Sequence, residues 1–323
     1  MTPTGFTRRG WLLFAAMALL WGVPYLFISV AVESYSPPAI VAARTLIAAL
    51  LLLPFALRSR ALRPALRRWP WVLAFGAVEM AGPFVLLGHA ETTLPSGLTG
   101  LLVATVPLFA AIIALGGGDR GVLKPARAIG LAVGFIGVAV VVAGPGLAAG
   151  NLVAAGEVLL VAVLYAIAPF IVARRLADVP SLGTITLSLL AVGIFYLPIA
   201  LLTQHQVPTL RSSIALVVLG VVCTAVAFLA FFALIREVGP VRAPLFTYVN
   251  PVVAIVLGAI VLAEPLTPGL LIGFPLIIIG CWFAGTGGRL RAAPTPGPTP
   301  NPDPTRPTPT TPQPSDSSPI ARS

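Results

Sequence analysis

Ten runs of about 20 mostly apolar residues, joined by short connections, leave this chain few folds to adopt. They lie at 11–30, 37–57, 70–89, 96–116, 125–144, 151–173, 182–202, 212–235, 242–262 and 267–285. A helix rising ~1.5 Å per residue crosses the ~30 Å hydrocarbon layer of a bilayer in a run of this length. Lipid offers backbone groups no partner, so each run has to satisfy its own amides and carbonyls, which makes it a helix. Hydrophobic residues are 58% of the chain and charged residues 9%, and the connections are too short for a soluble domain. The expected fold is an all-α membrane protein with ten transmembrane helices and the lipid bilayer as its main partner.

The basic residues test that count. Eighteen of the 20 lysines and arginines fall in the termini and the even-numbered connections. Arg8 and Arg9 precede the first run, and Arg58, Arg60, Arg63, Arg67 and Arg68 follow the second. Ten crossings put all of these on one face, which the positive-inside rule makes cytoplasmic. The expectation is a multi-pass protein of the plasma or inner membrane with both termini in the cytoplasm. The net charge of +10 then reports topology, and nucleic-acid binding is not expected, because no soluble surface gathers the charge. Arg8 and Arg9 before an apolar run resemble a signal peptide. The length of that run and the lack of a small-residue cleavage site favour a retained span.

Shifting the chain by 144 residues superposes Ala18 on Ala162, Pro54 on Pro198, Gly76 on Gly220, Phe84 on Phe228 and Pro107 on Pro251. The first four spans match without a gap, and the fifth pair needs a slip of one residue, matching Gly130 with Gly273 and Gly137 with Gly280. Residues 11–144 and 151–285 are therefore two five-helix repeats. Five is odd, so the second repeat enters the membrane from the opposite side: two inverted halves with a substrate site expected near the midplane between them. Residues 1–10 form a short cytoplasmic N-terminus.

The last hundred apolar residues carry a family resemblance. Arg236-Glu237-Val238-Gly239-Pro240, Asn250-Pro251-Val252-Val253-Ala254, Gly258, the turn Glu264-Pro265-Leu266-Thr267, Gly273 and Gly280 together resemble the second repeat of EamA-type transporters. These belong to the drug/metabolite transporter superfamily, and the similarity extends over roughly residues 11–285. The resemblance implies a carrier of small organic molecules. The first repeat ends its fourth span in Gly116-Gly117-Gly118-Asp119-Arg120, where relatives often have a Glu turn like that at Glu264.

Polar residues inside spans are costly and so are candidates for function. Glu79 sits near the middle of the third span and is the candidate for proton coupling or for binding a substrate amine; the alternative is a structural acid bonded to a neighbouring helix. An acid here is not general in the family, and its repeat mate is Cys223. Arg44 in the second span matches an arginine often found there, and either snorkels outward or pairs with Glu79. Glu157 lies near the outer end of the sixth span, a position for gating, structure or binding. Trp21-Gly22-Val23-Pro24-Tyr25 resembles the first-span signature of the family, and Trp21 aligns with Tyr165 through the repeat. The resemblance places Phe84, Phe228, Tyr248 and Asn250, from the third, eighth and ninth spans, around a central cavity. Packing aromatics are the bland alternative. Trp21, Tyr25, Arg44, Glu79, Phe84, Tyr165, Phe228, Tyr248 and Asn250 form the expected substrate-binding set. Pro24, Pro107 and Pro251 are the expected hinges, and Pro83, Pro169 and Pro275 also fall inside spans.

No glycine-rich phosphate loop with its lysine is present, and Cys223 and Cys281 lie at different depths without histidine partners, so neither a cofactor nor a metal nor a disulfide is expected. Residues 292–323, rich in Pro and Thr, read as a disordered cytoplasmic tail. The function that follows is a secondary active transporter exporting a small organic metabolite or drug-like compound, coupled to a proton or to exchange, as a monomer or homodimer. An intramembrane enzyme on lipid-linked substrates would need catalytic His, Asp or Ser gathered at one depth. A sensor or partner subunit without transport would rely on the tail.

Overall fold

The computed structural model describes residues 7–143, 151–239 and 243–286; the Pro/Thr-rich tail lies outside the described residues. Ten helices in this region are long and apolar enough to cross a membrane. In chain order they are α1 (Arg8–Ala31), α2 (Pro37–Arg58), α3 (Trp69–Ala90), α4 (Ser96–Gly116), α5 (Pro125–Ala143), α6 (Asn151–Arg175), α7 (Ser181–Thr203), α8 (Leu210–Val238), α9 (Ala243–Val261) and α10 (Pro268–Thr286).

Three of the five pairs of repeat mates pack on each other. α5 lies along α10 and α2 along α7, the two most extensive helix pairs, and α4 crosses α9. The α5–α10 seam is closed by the glycines the repeat aligns. A Cβ on Gly137 would stand 2.8 Å from the backbone nitrogen of Ile277, and one on Gly280 would run into the backbone of Gly134. Dispersion between backbones at this range replaces the hydrophobic drive that lipid removes.

The turns at the two ends also mirror each other. At the arginine-rich face Arg68 Nη2, after α2, is 3.1 Å from Asp178 Oδ2, after α6. At the other face Arg211 Nη1, at the start of α8, is 3.5 Å from Glu33 Oε1, after α1. The α1–α2 and α7–α8 connections are further stitched by Gln204, which donates to Ser34 O and accepts from Ser36 N, each at 2.8 Å.

Five helices are irregular, and in four of them the irregularities obey the same 144-residue shift. α3 contains a π-helical turn at Ala77–Ala81, and α8 one at Val221–Val226. α4 breaks at residues 104–105 and restarts at Val106, with Pro107 in its first turn. α9 begins as a 3₁₀ turn, Ala243–Tyr248, and becomes α-helical at Asn250, with Pro251 in its first turn. A proline fits the first turn of a helix because its missing N–H has no partner there in any case. α1 breaks at Val23, ahead of Pro24, whereas its mate α6 runs unbroken through Pro169, and α10 runs unbroken through Pro275. Pro169 and Pro275 thus sit inside continuous helices, while Pro24, Pro83, Pro107 and Pro251 each open a new helical segment.

Candidate functional site

The irregular segments converge on one cavity of about 250 Å³ between the two halves. Its wall takes Glu79 and Met80 from the π turn of α3, and Cys223 and Thr224 from the π turn of α8. A π turn leaves a carbonyl out of its normal register, and lipid cannot satisfy it. Here side chains do so: Tyr196 Oη donates to Ala81 O at 3.1 Å, and Thr224 Oγ1 donates to Leu219 O at 2.7 Å.

The cation is held by that second π turn. Arg44 Nε donates to Thr224 Oγ1 at 2.9 Å, and the guanidinium carbon lies 3.9 Å from the centre of the Phe84 ring. One hydroxyl thus gives its hydrogen to the displaced carbonyl and a lone pair to the arginine. Arg44 is 6% exposed, so it does not snorkel, and no ion pair joins it to Glu79 among the described residues. The structure therefore replaces both expectations for Arg44 with a hydroxyl partner and an aromatic face. Leaving Glu79 unpaired keeps its carboxyl available to the cavity.

The remaining expected residues are also on this wall: Trp21, Tyr25, Tyr165, Phe228, Tyr248 and Asn250, with the expected hinges Pro24, Pro107 and Pro251. Trp21 is fixed edge-on to Phe228 at 5.7 Å between ring centres and tilted against Phe231 and Phe246, in a cluster joining α1, α8 and α9. Asn250, with its amide oriented to match its neighbours, donates to Phe246 O and Ala18 O at 3.2 Å each. That side chain ties the start of the α-helical part of α9 to α1. Tyr248 Oη reaches Cys281 O at 3.4 Å, and Cys281 Sγ reaches Ala104 O, a carbonyl at the α4 break, at 3.2 Å. Both cysteines are buried and free. Glu157 is away from this wall: its Oε2 lies 2.8 Å from His89 Nδ1, joining the ends of α6 and α3.

Sequence reasoning missed Thr224, whose signal was a hydroxyl in an apolar run at the level of Arg44. It also missed Glu91, which follows α3 and reads as a loop residue. Glu91 is 4% exposed.

Ten membrane helices in inverted halves around a central, polar-spotted cavity define a membrane carrier rather than an enzyme. The family assignment follows from comparison: residues 8–143 and 153–286 each match the EamA-like transporter family, and the chain belongs to it, within the drug/metabolite transporter superfamily. Among relatives, the Uncharacterized inner membrane transporter YedA of Escherichia coli (strain K12) is 29% identical over 247 residues, covering 75% of this chain and 79% of that protein. The Uncharacterized transporter YvbV of Bacillus subtilis (strain 168) is 30% identical over 294 residues, covering 87% of this chain and 93% of the other. A probable terminal-alkyne amino-acid exporter of Streptantibioticus cattleyicolor is 28% identical over 280 residues, covering 85% and 93%. A solved crystal structure shares the fold with a TM-score of 0.62 at 23% identity, over 85% of this chain and 96% of that one.

Proposed function

We propose that this chain is a secondary active exporter of a small organic metabolite, working by alternating access of its inverted halves, with Glu79 as the proton-coupling or amine-binding acid. The observation that carries the reading is the cavity itself. One unpaired carboxyl, one arginine and a ring of aromatics meet where both halves interrupt their helices. At about 250 Å³ it falls below the ~300–1,000 Å³ typical of drug-sized sites, which favours cargo of amino-acid size. An ammonium facing Glu79, a carboxylate facing Arg44 and an apolar body against Trp21, Phe84 and Phe228 would fill it. The relative named as an amino-acid exporter supports the same class of cargo.

Interrupted helices supply the motion. A break at Pro24, Pro107 or Pro251 lets one end of a helix swing without dragging the other, and mirror-related halves give two packings of similar energy. The arginine-rich face is the cytoplasmic one, so both termini lie inside, in the plasma or inner membrane. The protein acts as a monomer or homodimer. Comparing metabolites released by overexpressing and deletion cells identifies the cargo. Flux of that cargo in proteoliposomes, with and without a pH gradient, then tests the coupling. Gradient-driven flux that persists unchanged in Glu79→Gln rejects Glu79 as the coupling acid.

A further inference from the structure

At the face opposite the arginine-rich one, the turn between α9 and α10 folds back on itself. Ala263 takes a left-handed φ of 54°, and Glu264 N donates to Gly258 O at 3.0 Å. The Glu264 carboxylate then crosses to the other half. Oε1 accepts from Ser96 N at 2.7 Å, and Oε2 from Gly97 N at 3.0 Å. These are the first amides of α4, and a helix N-terminus favours an anion. A Cβ on Gly258 would collide with Oε2, so only glycine permits this approach. Glu264 is a latch between the halves.

Glu91 lies beside that latch. Neither of its carboxylate oxygens has a hydrogen-bond partner among the described residues. Four groups face it: Glu264 from the α9–α10 turn, Arg44 from α2, Tyr25 from α1, and the backbone of Ser29, which lies outside hydrogen-bonding geometry. A buried carboxylate without a hydrogen bond is among the costliest groups a fold can hold, and a second anion nearby adds to the cost. Binding a proton removes the charge. Burial first, and the Glu264 charge second, hold the Glu91 carboxyl well above the usual carboxylate range, against the weaker opposing pull of Arg44.

We propose that Glu91 is a proton-binding site of this transporter, sealed behind the Glu264 latch and separate from Glu79. While the latch is closed, Glu91 is a neutral acid. Opening it admits water; the O–H bond breaks, its electrons stay on the carboxylate, and the proton passes to water. Arg44 is the cation within reach of the anion left behind. Tyr25 lies within electrostatic range of both Glu91 and Arg44, and Tyr25, Arg44, Tyr165 and Glu79 all line the central cavity. Occupancy is a property of the resting chain; use of the proton in a cycle rests on the transport reading.

The test is infrared spectroscopy of the purified full chain in lipid nanodiscs, following the carbonyl stretch of protonated carboxylic acids through a pH series. The wild type is expected to keep a protonated-carboxyl band at neutral pH. Glu91→Gln should lose a component of that band that Glu79→Gln retains, and Glu264→Gln should lower the pH at which that component disappears. A band unchanged in Glu91→Gln overturns the proposal, as does a midpoint unmoved in Glu264→Gln. Exchanging potassium for sodium at fixed pH should leave the band alone; its loss would mark a sodium site instead. Unfolding temperature gives a second reading that does not depend on spectral assignment. A raised folded-state pKa means that stability is greatest at low pH and falls as pH climbs past the ordinary carboxylate value. Glu91→Gln should remove this decline, and equal declines in both proteins contradict the proposal. Because neither measurement uses cargo or a gradient, failed gradient-driven flux counts against the transport reading while the band still establishes the site.

Discussion

α3 and α8 share a backbone and differ in chemistry. Each carries a π turn at the same place in its repeat, and each opens that turn onto the central cavity. At the first repeat-equivalent position α3 has Glu79 and α8 has Cys223; at the next α3 has Met80 and α8 has Thr224. One half therefore presents an unpaired acid, and the other presents the hydroxyl that holds Arg44. Symmetry sets where the helices bend, and its violation sets what they can bind. The α4–α5 and α9–α10 turns, equivalent in the repeat and on opposite faces, repeat the lesson. Asp119, in the α4–α5 turn, stays within its own half, accepting from Gly121 N at 2.8 Å and lying 4.0 Å from Arg127 Nη1, whereas Glu264, in the equivalent α9–α10 turn, caps a helix of the other half.

The sharpest way to break this comparison is to neutralise the acid and its mate in turn. Glu79→Gln should cut gradient-driven flux by about tenfold or more, as expected for a contact to a charged group worth ~1.5–3 kcal/mol. Cys223→Ala should leave flux near that of the wild type. Next comes the hydroxyl. Thr224→Val removes the acceptor of Arg44 and the donor to Leu219 O, and should lower unfolding free energy in detergent by ~1.5–3 kcal/mol. The volume-conserving Met80→Leu at the repeat-equivalent site should cost less than ~1.5 kcal/mol. Glu264→Ala removes a helix cap and should cost ~0.5–2 kcal/mol, with Asp119→Ala, in the exposed turn, costing less. The smallest effect belongs to the mirror ion pairs. Arg68→Ala and Arg211→Ala break exposed contacts and should each change stability by no more than ~1 kcal/mol. A large loss at either would mean that the connecting turns, rather than the helix seams, hold the halves together.

Much of this was legible in the sequence. Apolar length determines the spans, because lipid enforces it. The 144-residue shift determines which helices mate, since Pro107 and Pro251 break their helices at equivalent points. All nine residues expected at the binding site line one cavity, a placement that the cost of polar groups in lipid suggests for Arg44 and Glu79 and that the family resemblance implies for the aromatics and Asn250. Three features were not readable. A π turn is a shift of hydrogen-bond register, and nothing in Ala77–Ala81 or Val221–Val226 encodes it as a run of letters. The partner of Arg44 is 180 residues away, so no local pattern distinguishes a hydroxyl partner from a carboxylate. Glu91 follows its span and has no local pattern that would distinguish a buried acid from a solvated loop acid.

Alternating exposure of the cavity is the central claim, and a single cysteine tests it most directly. With Cys223 and Cys281 replaced by alanine, Val103→Cys places a thiol on the cavity wall. A membrane-impermeant thiol reagent is then applied to one face of sealed vesicles at a time. The account predicts labelling from both faces, with added cargo shifting the balance between them. Labelling from one face only, under all conditions, would contradict it.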